Sequence, residues 1–296
     1  MWRLKSKIPA LPGPRPTNLF WVLMQPSSTM TVPLLEARNL RKTFPAPGGT
    51  FAIGARARVT AVDDVSLELA SGETLAIVGE SGSGKTTLAR MLLRLIEPDS
   101  GELRVEGRDF LAARGANLRA LRREMQMVFQ DPFASLDPRM RVGAIVGEPL
   151  EIHEPRLNRA ERRERVAEVL RAVGMGEDAF ARYPHEFSGG QRQRIGIARA
   201  LVLRPRLVVA DEPVSALDVS VGAQILELLQ NLQREFALTY LLISHSLPVV
   251  AQLATRIAVM QGGRIVETGA AAQILGAPTH PYTQSLIAAI PVLPAM

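Results

Sequence analysis

Residues 79–86 read Gly79-Glu80-Ser81-Gly82-Ser83-Gly84-Lys85-Thr86, and Thr87 follows them. This run fits the pattern G-x-x-x-x-G-K-[ST], between an apolar strand pattern at 75–78 and a helical pattern from Lys85, the context that the motif requires. Its glycines allow backbone N–H groups to turn inward around phosphates, while Lys85 brings a positive charge and Thr86 a hydroxyl for Mg²⁺. The alternative is a chance glycine-rich turn. The run therefore predicts a nucleotide-binding loop.

A pair of carboxylates ends a second apolar strand pattern. Leu207-Val208-Val209-Ala210 is followed by Asp211 and Glu212. One carboxylate can hold Mg²⁺, here Asp211 through a water molecule, and the next can polarise an attacking water. In the alternative interpretation the two residues only end the strand. Because the phosphate loop lies upstream, we expect hydrolysis of the bound nucleotide.

A third motif begins a helix. Ser188-Gly189-Gly190-Gln191 precedes apolar residues at helical spacing, so Ser188 can cap a helix whose free N–H groups form a second anion site. A serine and two glycines are ordinary loop chemistry when taken alone. In this order with the loop and the carboxylate pair, they are a strong signal.

From about residue 34 to 268 the chain resembles the ATP-binding cassette (ABC) proteins. The resemblance implies an α/β fold, a P-loop NTPase (RecA-like) core with an antiparallel β subdomain and an inserted helical subdomain, that binds ATP and Mg²⁺. Residues 79–86 resemble the Walker A loop, 207–211 Walker B with Glu212 as the catalytic glutamate, and 187–191 the signature. Gln130, in Val128-Phe129-Gln130-Asp131-Pro132, resembles the glutamine that joins the metal site to the helical subdomain.

The resemblance also implies roles outside these motifs. Asp218, at the end of Ser215-Ala216-Leu217-Asp218, is similar to the dimer-contact loop, and His245 to the histidine that touches the γ-phosphate. Phe44 matches the aromatic that stacks on adenine; Phe51 is a second candidate, and a core phenylalanine is another interpretation.

Three residues depart from the family pattern. Phe187 replaces a leucine and Ser246 an aspartate, and we expect them to keep an apolar anchor and a helix-capping oxygen. Asp137, where relatives often carry asparagine, has no phosphate role.

Three short runs resemble the ATPase subunits of dipeptide, oligopeptide and nickel importers. They are residues 131–139, residues 182–186, and the tail run His280-Pro281-Tyr282-Thr283. The resemblance implies a second cassette facing this one head to tail, identical or not, two transmembrane permease subunits and an extracytoplasmic solute-binding protein. The chain would then lie at the cytoplasmic face of the cell membrane. A soluble cassette ATPase acting on ribosomes or DNA, and a phosphate-loop kinase or GTPase, are the alternatives.

The remaining chain predicts the domain organisation. Strand patterns at 33–40, 73–78, 207–210 and 239–244 alternate with helical patterns from 85, at 158–173 and near 221–236, which is typical of a mostly parallel sheet. We expect a flexible extension at 1–32 and a cassette at 33–269; the alternative for the extension is that translation starts at Met30. Its helical subdomain covers about 131–190. The proline-rich tail, 270–296, is expected to be irregular.

Composition restricts the partners and the type of site. The chain of 296 residues has 35 basic and 29 acidic residues, net +6, and no cysteine. Nearly all basic residues are arginines dispersed along the chain, so a solvated surface explains the charge and no nucleic acid is expected. The missing cysteines exclude disulfides and thiolate metal sites. No apolar run approaches the roughly 20 residues that cross a bilayer.

Overall fold

The computed structural model describes residues 32–46, 58–131 and 133–289. From Pro33 onward these residues belong to one unit, Pro33–Met296. Outside the described residues lie the expected extension up to residue 31, including the alternative start at Met30, and Phe51. The domain bounds stay a prediction.

One sheet is antiparallel and has the strand order β2-β1-β4-β5. Its strands are β1 Leu35–Pro45, β2 Arg58–Leu69, β4 Ser100–Val105 and β5 Arg108–Asp109. Apolar residues alternate with exposed ones in β2, where Val65, Leu67 and Leu69 are buried, as expected for a strand with one face on the core. The antiparallel β subdomain is thereby confirmed.

The other sheet is mostly parallel and has the order β10-β9-β3-β8-β7-β6. Its strands are β3 Thr74–Val78, β6 Met125–Val128, β7 Leu207–Asp211, β8 Thr239–Ser244, β9 Arg256–Gln261 and β10 Arg264–Ala270, of which β10 runs antiparallel to β9. Every residue of β3, β7 and β8 is buried, as expected where both faces of a sheet are covered. Val78 pairs with Ser244, and Asp211 with Ile243. The carboxyl ends of these strands therefore meet at one edge.

Helices cover this sheet and form a separate helical region. They are α1 Lys85–Leu92, α2 Gly115–Glu124, α3 Val142–His153, α4 Arg159–Ala172, α5 Gly189–Leu201, α6 Val219–Phe236, α7 Leu247–Leu253, α8 Ala271–Gly276 and α9 Pro281–Ala288, with short 3₁₀ helices at Glu177–Ala181 and Pro184–Glu186. The expected helix at 158–173 is confirmed as α4. Asn158 caps it by accepting hydrogen bonds from Ala160 N–H and Glu161 N–H, and Gly174 follows it with φ 74°.

Two apolar cores hold these layers. One packs α3, α4, α5 and α6 against the parallel sheet and includes Val146, Leu170, Ile197 and Leu229. The other lies between the two sheets and α1 and includes Leu40, Leu92 and Phe110. The α/β fold class with an antiparallel sheet and several helices is confirmed. Within the described residues, no helix has both the length and the apolar content needed to cross a membrane.

The expectation of an irregular tail is wrong for the part of it that the structure describes, because α8 and α9 lie there. Proline starts α9 instead of interrupting it: Pro281 is in the first turn, where a helix needs no proline N–H. His280 caps α9, its Nδ1 accepting from Tyr282 N–H at 3.2 Å. Prolines in a sequence predict a break only inside a helix, and Pro281 stands at the start of one.

Candidate active site

The loop at 79–86 connects β3 to α1, and its glycines are needed for two reasons. Gly79 and Gly84 have φ of 152° and 105°, values that side chains disfavour. A Cβ on Gly79 would lie 2.1 Å from the Met260 carbonyl oxygen, and one on Gly84 would lie 2.1 Å from that of Ala61. The turn between β9 and β10 supports the loop, since Gly263 N–H donates to Ser83 O at 3.0 Å. The backbone can take this path only with glycine.

Lys85 is buried beneath the loop, with 5% of its surface exposed. Its Nζ donates to Gly79 O at 2.8 Å and to Glu80 O at 2.7 Å. Burial lowers the pKa of the Lys85 ammonium, and the nearby carboxylates of Glu212, Asp211 and Glu80 oppose this shift. Two carbonyl groups of the loop thus hold the Lys85 ammonium at the carboxyl end of the parallel strands.

Thr86 and Asp211 bring two oxygen ligands together at the first turn of α1. Thr86 Oγ1 donates to Asp211 Oδ1 at 3.2 Å, and Asp211 is only 2% exposed. Burial raises the pKa of the Asp211 carboxyl, although the Thr86 bond lowers it, so a cation here would stabilise the charged form. Oxygen donors of this kind suit Mg²⁺, which is usually held by one or two carboxylates together with waters and substrate phosphates. Within the described residues no three His, Cys, Asp or Glu side chains form a metal cluster.

Glu212, one residue beyond β7, joins three parts of the chain. Its N–H donates to Ile243 O at 2.9 Å and ties it to β8. Its Oε2 accepts from Gln130 Nε2 at 2.9 Å, and its Oε1 lies 2.9 Å from His245 Nδ1. Gln130, Glu212 and His245 follow the ends of β6, β7 and β8. Their side chains therefore meet at the same edge as the loop.

The signature run lies elsewhere in the chain. Ser188 is exposed and caps α5, its Oγ accepting from Gln191 N–H at 3.4 Å, while the preceding Phe187 is buried, which confirms the expected apolar anchor. Among the described residues, no hydrogen bond joins Ser188, Gly189, Gly190 or Gln191 to the phosphate loop. Within the described part of one chain, the expected second anion site is therefore not hydrogen-bonded to the phosphate loop.

Asp218 is nearer to the carboxylates. It lies with Glu212 and His245 in the wall of a cleft of about 450 Å³. Asp218 caps α6, and its hydrogen bond from Val221 N–H, 2.9 Å long, lowers the pKa of its carboxyl.

The structure also places Phe44 and Ser246. Phe44 is half-buried in β1 and, within the described residues, belongs to neither apolar core; Lys42 Nζ lies 5.8 Å from the centre of its ring. Ser246 occupies the cap position of α7, but its side chain makes no capping hydrogen bond. The expected capping role of Ser246 is therefore wrong in this structure. Instead Ser246 N–H donates to Ser244 Oγ at 3.0 Å.

One contact at the loop was missed. The Tyr282 hydroxyl, in α9, accepts a hydrogen bond from Glu80 N–H at 3.1 Å. From the sequence, the run around Tyr282 indicates only a resemblance to the ATPase subunits of the importers. No local pattern could place it at a loop 202 positions away.

Comparisons with known proteins agree with this geometry. A family model described as ABC transporter matches residues 62–215. A probable peptide ABC transporter ATP-binding protein of Sinorhizobium fredii is 53% identical over 263 residues, covering 89% of this chain and 74% of the relative. An oligopeptide transport ATP-binding protein of Bacillus subtilis is 48% identical over 264 residues, covering 89% of this chain and 84% of the relative.

Among solved structures, a dimeric ATP-binding cassette in a post-hydrolysis state, bound to ADP and Pi, is similar with a TM-score of 0.70. The two chains are 29% identical, and the alignment covers 80% of this chain and 98% of the chain in that structure. The cassette resemblance is confirmed over most of the chain.

Proposed function

The chain belongs to the ABC transporter family and is an ATPase, and from this we propose that it powers the import of dipeptides or oligopeptides. The observation that carries the catalytic part is the meeting of Lys85, Thr86, Asp211 and Glu212 at one sheet edge. The peptide cargo is supported by relatives of 48–53% identity that are named for peptide or oligopeptide transport.

In this proposal the loop residues bind the phosphates of ATP. Backbone N–H groups between Gly79 and Thr87 face the phosphates, and Lys85 Nζ keeps its bond to Gly79 O and directs its remaining N–H donors to phosphate oxygens. Thr86, Asp211 and Gln130 would hold Mg²⁺, which neutralises charge on the phosphates when bound. Phe44 stacks on the adenine ring.

Glu212 acts on water rather than on ATP itself. Its carboxylate accepts a proton from the water that attacks the γ-phosphate, and Gln130 and His245 fix its two oxygens 2.9 Å away. His245 also contacts the γ-phosphate. General-base catalysis of this kind is worth about 10²- to 10⁴-fold in rate.

Two cassettes are needed to complete each site. No hydrogen bond between described residues joins the signature residues to the phosphate loop of their own chain. We therefore infer that Ser188, Gly189, Gly190 and Gln191 close on ATP held by a second cassette. Asp218 contacts that second cassette from the cleft that it lines. ATP then joins the two subunits, and loss of the γ-phosphate releases them. The second cassette is a copy of this chain or a related one.

The other partners follow from the importer assignment. Two permease subunits form the membrane path, and an extracytoplasmic solute-binding protein delivers the peptide. The chain lies at the cytoplasmic face of the membrane, held by the permeases.

Isolation of the native complex tests this function. Affinity-tagged chain is extracted from membranes in mild detergent, with an untagged strain as control, and the co-purifying proteins are identified by mass spectrometry. We expect two permeases, a cassette partner and a solute-binding protein that binds peptides in a titration. Recovery of ribosomal or DNA-repair proteins alone would overturn the transport function, and binding of Ni²⁺ instead of peptides would overturn the cargo.

A further inference from the structure

The tail helix α9 supports the phosphate loop through one side chain. Tyr282 is 9% exposed and packs in the core beneath the loop, and its hydroxyl oxygen lies 3.1 Å from Glu80 N. Among the described residues, the Tyr282 hydroxyl is therefore the acceptor for Glu80 N–H. A segment far away in sequence thus reaches the start of the nucleotide-binding loop.

The same peptide unit is held from its other side by Lys85. The carbonyl of Gly79 and the N–H of Glu80 belong to one planar trans peptide, in which the two groups point in opposite directions. Lys85 Nζ donates to that carbonyl at 2.8 Å, while Tyr282 accepts from that N–H. Hydrogen bonds in a chain polarise one another, so the tyrosine contact strengthens the carbonyl as an acceptor for the ammonium.

The helix that carries Tyr282 is itself anchored. Glu267, on β10, accepts hydrogen bonds from Thr279 N–H and Thr279 Oγ1, both at 2.8 Å, and from His280 N–H at 3.2 Å. His280 in turn caps α9. These bonds attach the start of α9 to β10, and so they restrict movement of the Tyr282 hydroxyl with the loop.

We propose that Tyr282 is a positioning residue for nucleotide binding, which fixes the Gly79–Glu80 peptide and through it the Lys85 ammonium. This inference rests on the proposed function, because it assumes that Lys85 binds phosphates. Tyr282 touches neither ATP nor the reacting water. It acts by keeping the loop in the form that receives the nucleotide.

Removal of the hydroxyl alone is the test. Tyr282→Phe keeps the buried ring, and Tyr240→Phe is the matched control, because Tyr240 is 3% exposed and its hydroxyl donates to Leu229 O at 3.1 Å, away from the loop. The Kd for a fluorescent ATP analogue is measured on the full chain, and KM and kcat on the complex isolated from membranes. Loss of one hydrogen bond predicts a Kd and KM about 2- to 10-fold higher for Tyr282→Phe. Its kcat should stay close to that of the parent, and Tyr240→Phe, which also loses one hydrogen bond of a buried tyrosine, should lower Tm to a similar extent and leave KM unchanged.

A double variant separates this inference from the function on which it rests. In a Lys85→Ala background, Tyr282→Phe should have no further effect on Kd, since the two residues act through one peptide. If Lys85→Ala weakens binding but Tyr282→Phe does not, Tyr282 has no positioning role and the nucleotide site stands. Equal KM effects of the two tyrosine variants would also overturn the role. If Lys85→Ala leaves binding unchanged, the proposed nucleotide site itself fails.

Discussion

At the scale of single residues, the most constrained position of the site is Glu212. Its φ of 47° lies in the left-handed region, which costs a residue with a side chain about 1–3 kcal/mol. Three contacts hold it there: the bond from its N–H to Ile243 O and the contacts of its carboxylate with Gln130 and His245. The strain aims the carboxylate at the sheet edge, and the sequence could not reveal it, because a strand-end pattern carries no backbone angle.

Lys85→Ala tests the loop at this scale. Because a hydrogen bond to a charged group contributes about 1.5–3 kcal/mol, the variant should bind ATP about 10- to 100-fold more weakly. Titration with a fluorescent ATP analogue measures this, and thermal unfolding in the absence of nucleotide checks that the variant is folded. Binding as tight as in the parent would count against the loop.

Thr86 gives a test of the metal ligands. Thr86→Val removes the hydroxyl but keeps the shape, whereas Thr86→Ser keeps the hydroxyl and serves as the control. We expect Thr86→Val to need a higher Mg²⁺ concentration for half-maximal ATP hydrolysis and Thr86→Ser to resemble the parent, and we expect chelation with EDTA to stop hydrolysis in all three. Identical Mg²⁺ titrations for the two variants would remove Thr86 from the metal site.

At the scale of elements, the sequence predicted local structure well where the apolar pattern was strong. The strand expected at 239–244 is β8 within its predicted bounds, and the loop and the helix from Lys85 lie where the motif placed them. The expectations that fail are those for α9 and Ser246, where hydrogen bonds decide the outcome: Glu267 anchors the chain ahead of α9, and Ser244 accepts from Ser246 N–H. The apolar pattern does not contain these contacts.

The anchor of α9 predicts a dependence on pH. Burial alone would raise the pKa of Glu267, but the Thr283 side chain, followed by the bonds from Thr279 and His280, holds it at about 2, below the value of about 4.3 in an unfolded chain. The stability that this carboxylate contributes is therefore complete above about pH 4.5 and is lost as pH falls toward 2. Tm of the parent should thus exceed that of Glu267→Gln most at pH 5 to 7, and the difference should narrow by pH 3.

A control for this experiment is Glu151→Gln, since Glu151 is an exposed carboxylate that pairs with Arg162 at 3.4 Å. Its Tm difference from the parent should be small at every pH, as expected for an exposed ion pair. A Tm difference for Glu267→Gln that does not change between pH 7 and pH 3 would show that its charge does not anchor the tail.

At the scale of the whole molecule, the catalytic groups divide into two sets. Residues following the ends of the parallel strands meet at one edge. The sequence predicted the mostly parallel sheet and the motifs after its strands, while the strand order that brings them together is seen only in the fold. The signature on α5 is exposed and separate from that edge, so the need for a second cassette came from the resemblance and not from local pattern. The contact of the tail with the loop could be found only in the folded chain.

ATP hydrolysis by the Glu212→Gln variant tests the central claim most directly, namely that Glu212 activates the water which cleaves ATP held at Lys85. The variant replaces one carboxylate oxygen by an NH₂ group and keeps the size of the side chain. In the complex isolated from membranes, we predict unchanged ATP binding and a turnover lower by about 10²- to 10⁴-fold, a barrier higher by about 3 to 5 kcal/mol. Turnover within a few fold of the parent, with ATP bound equally well, would contradict the account.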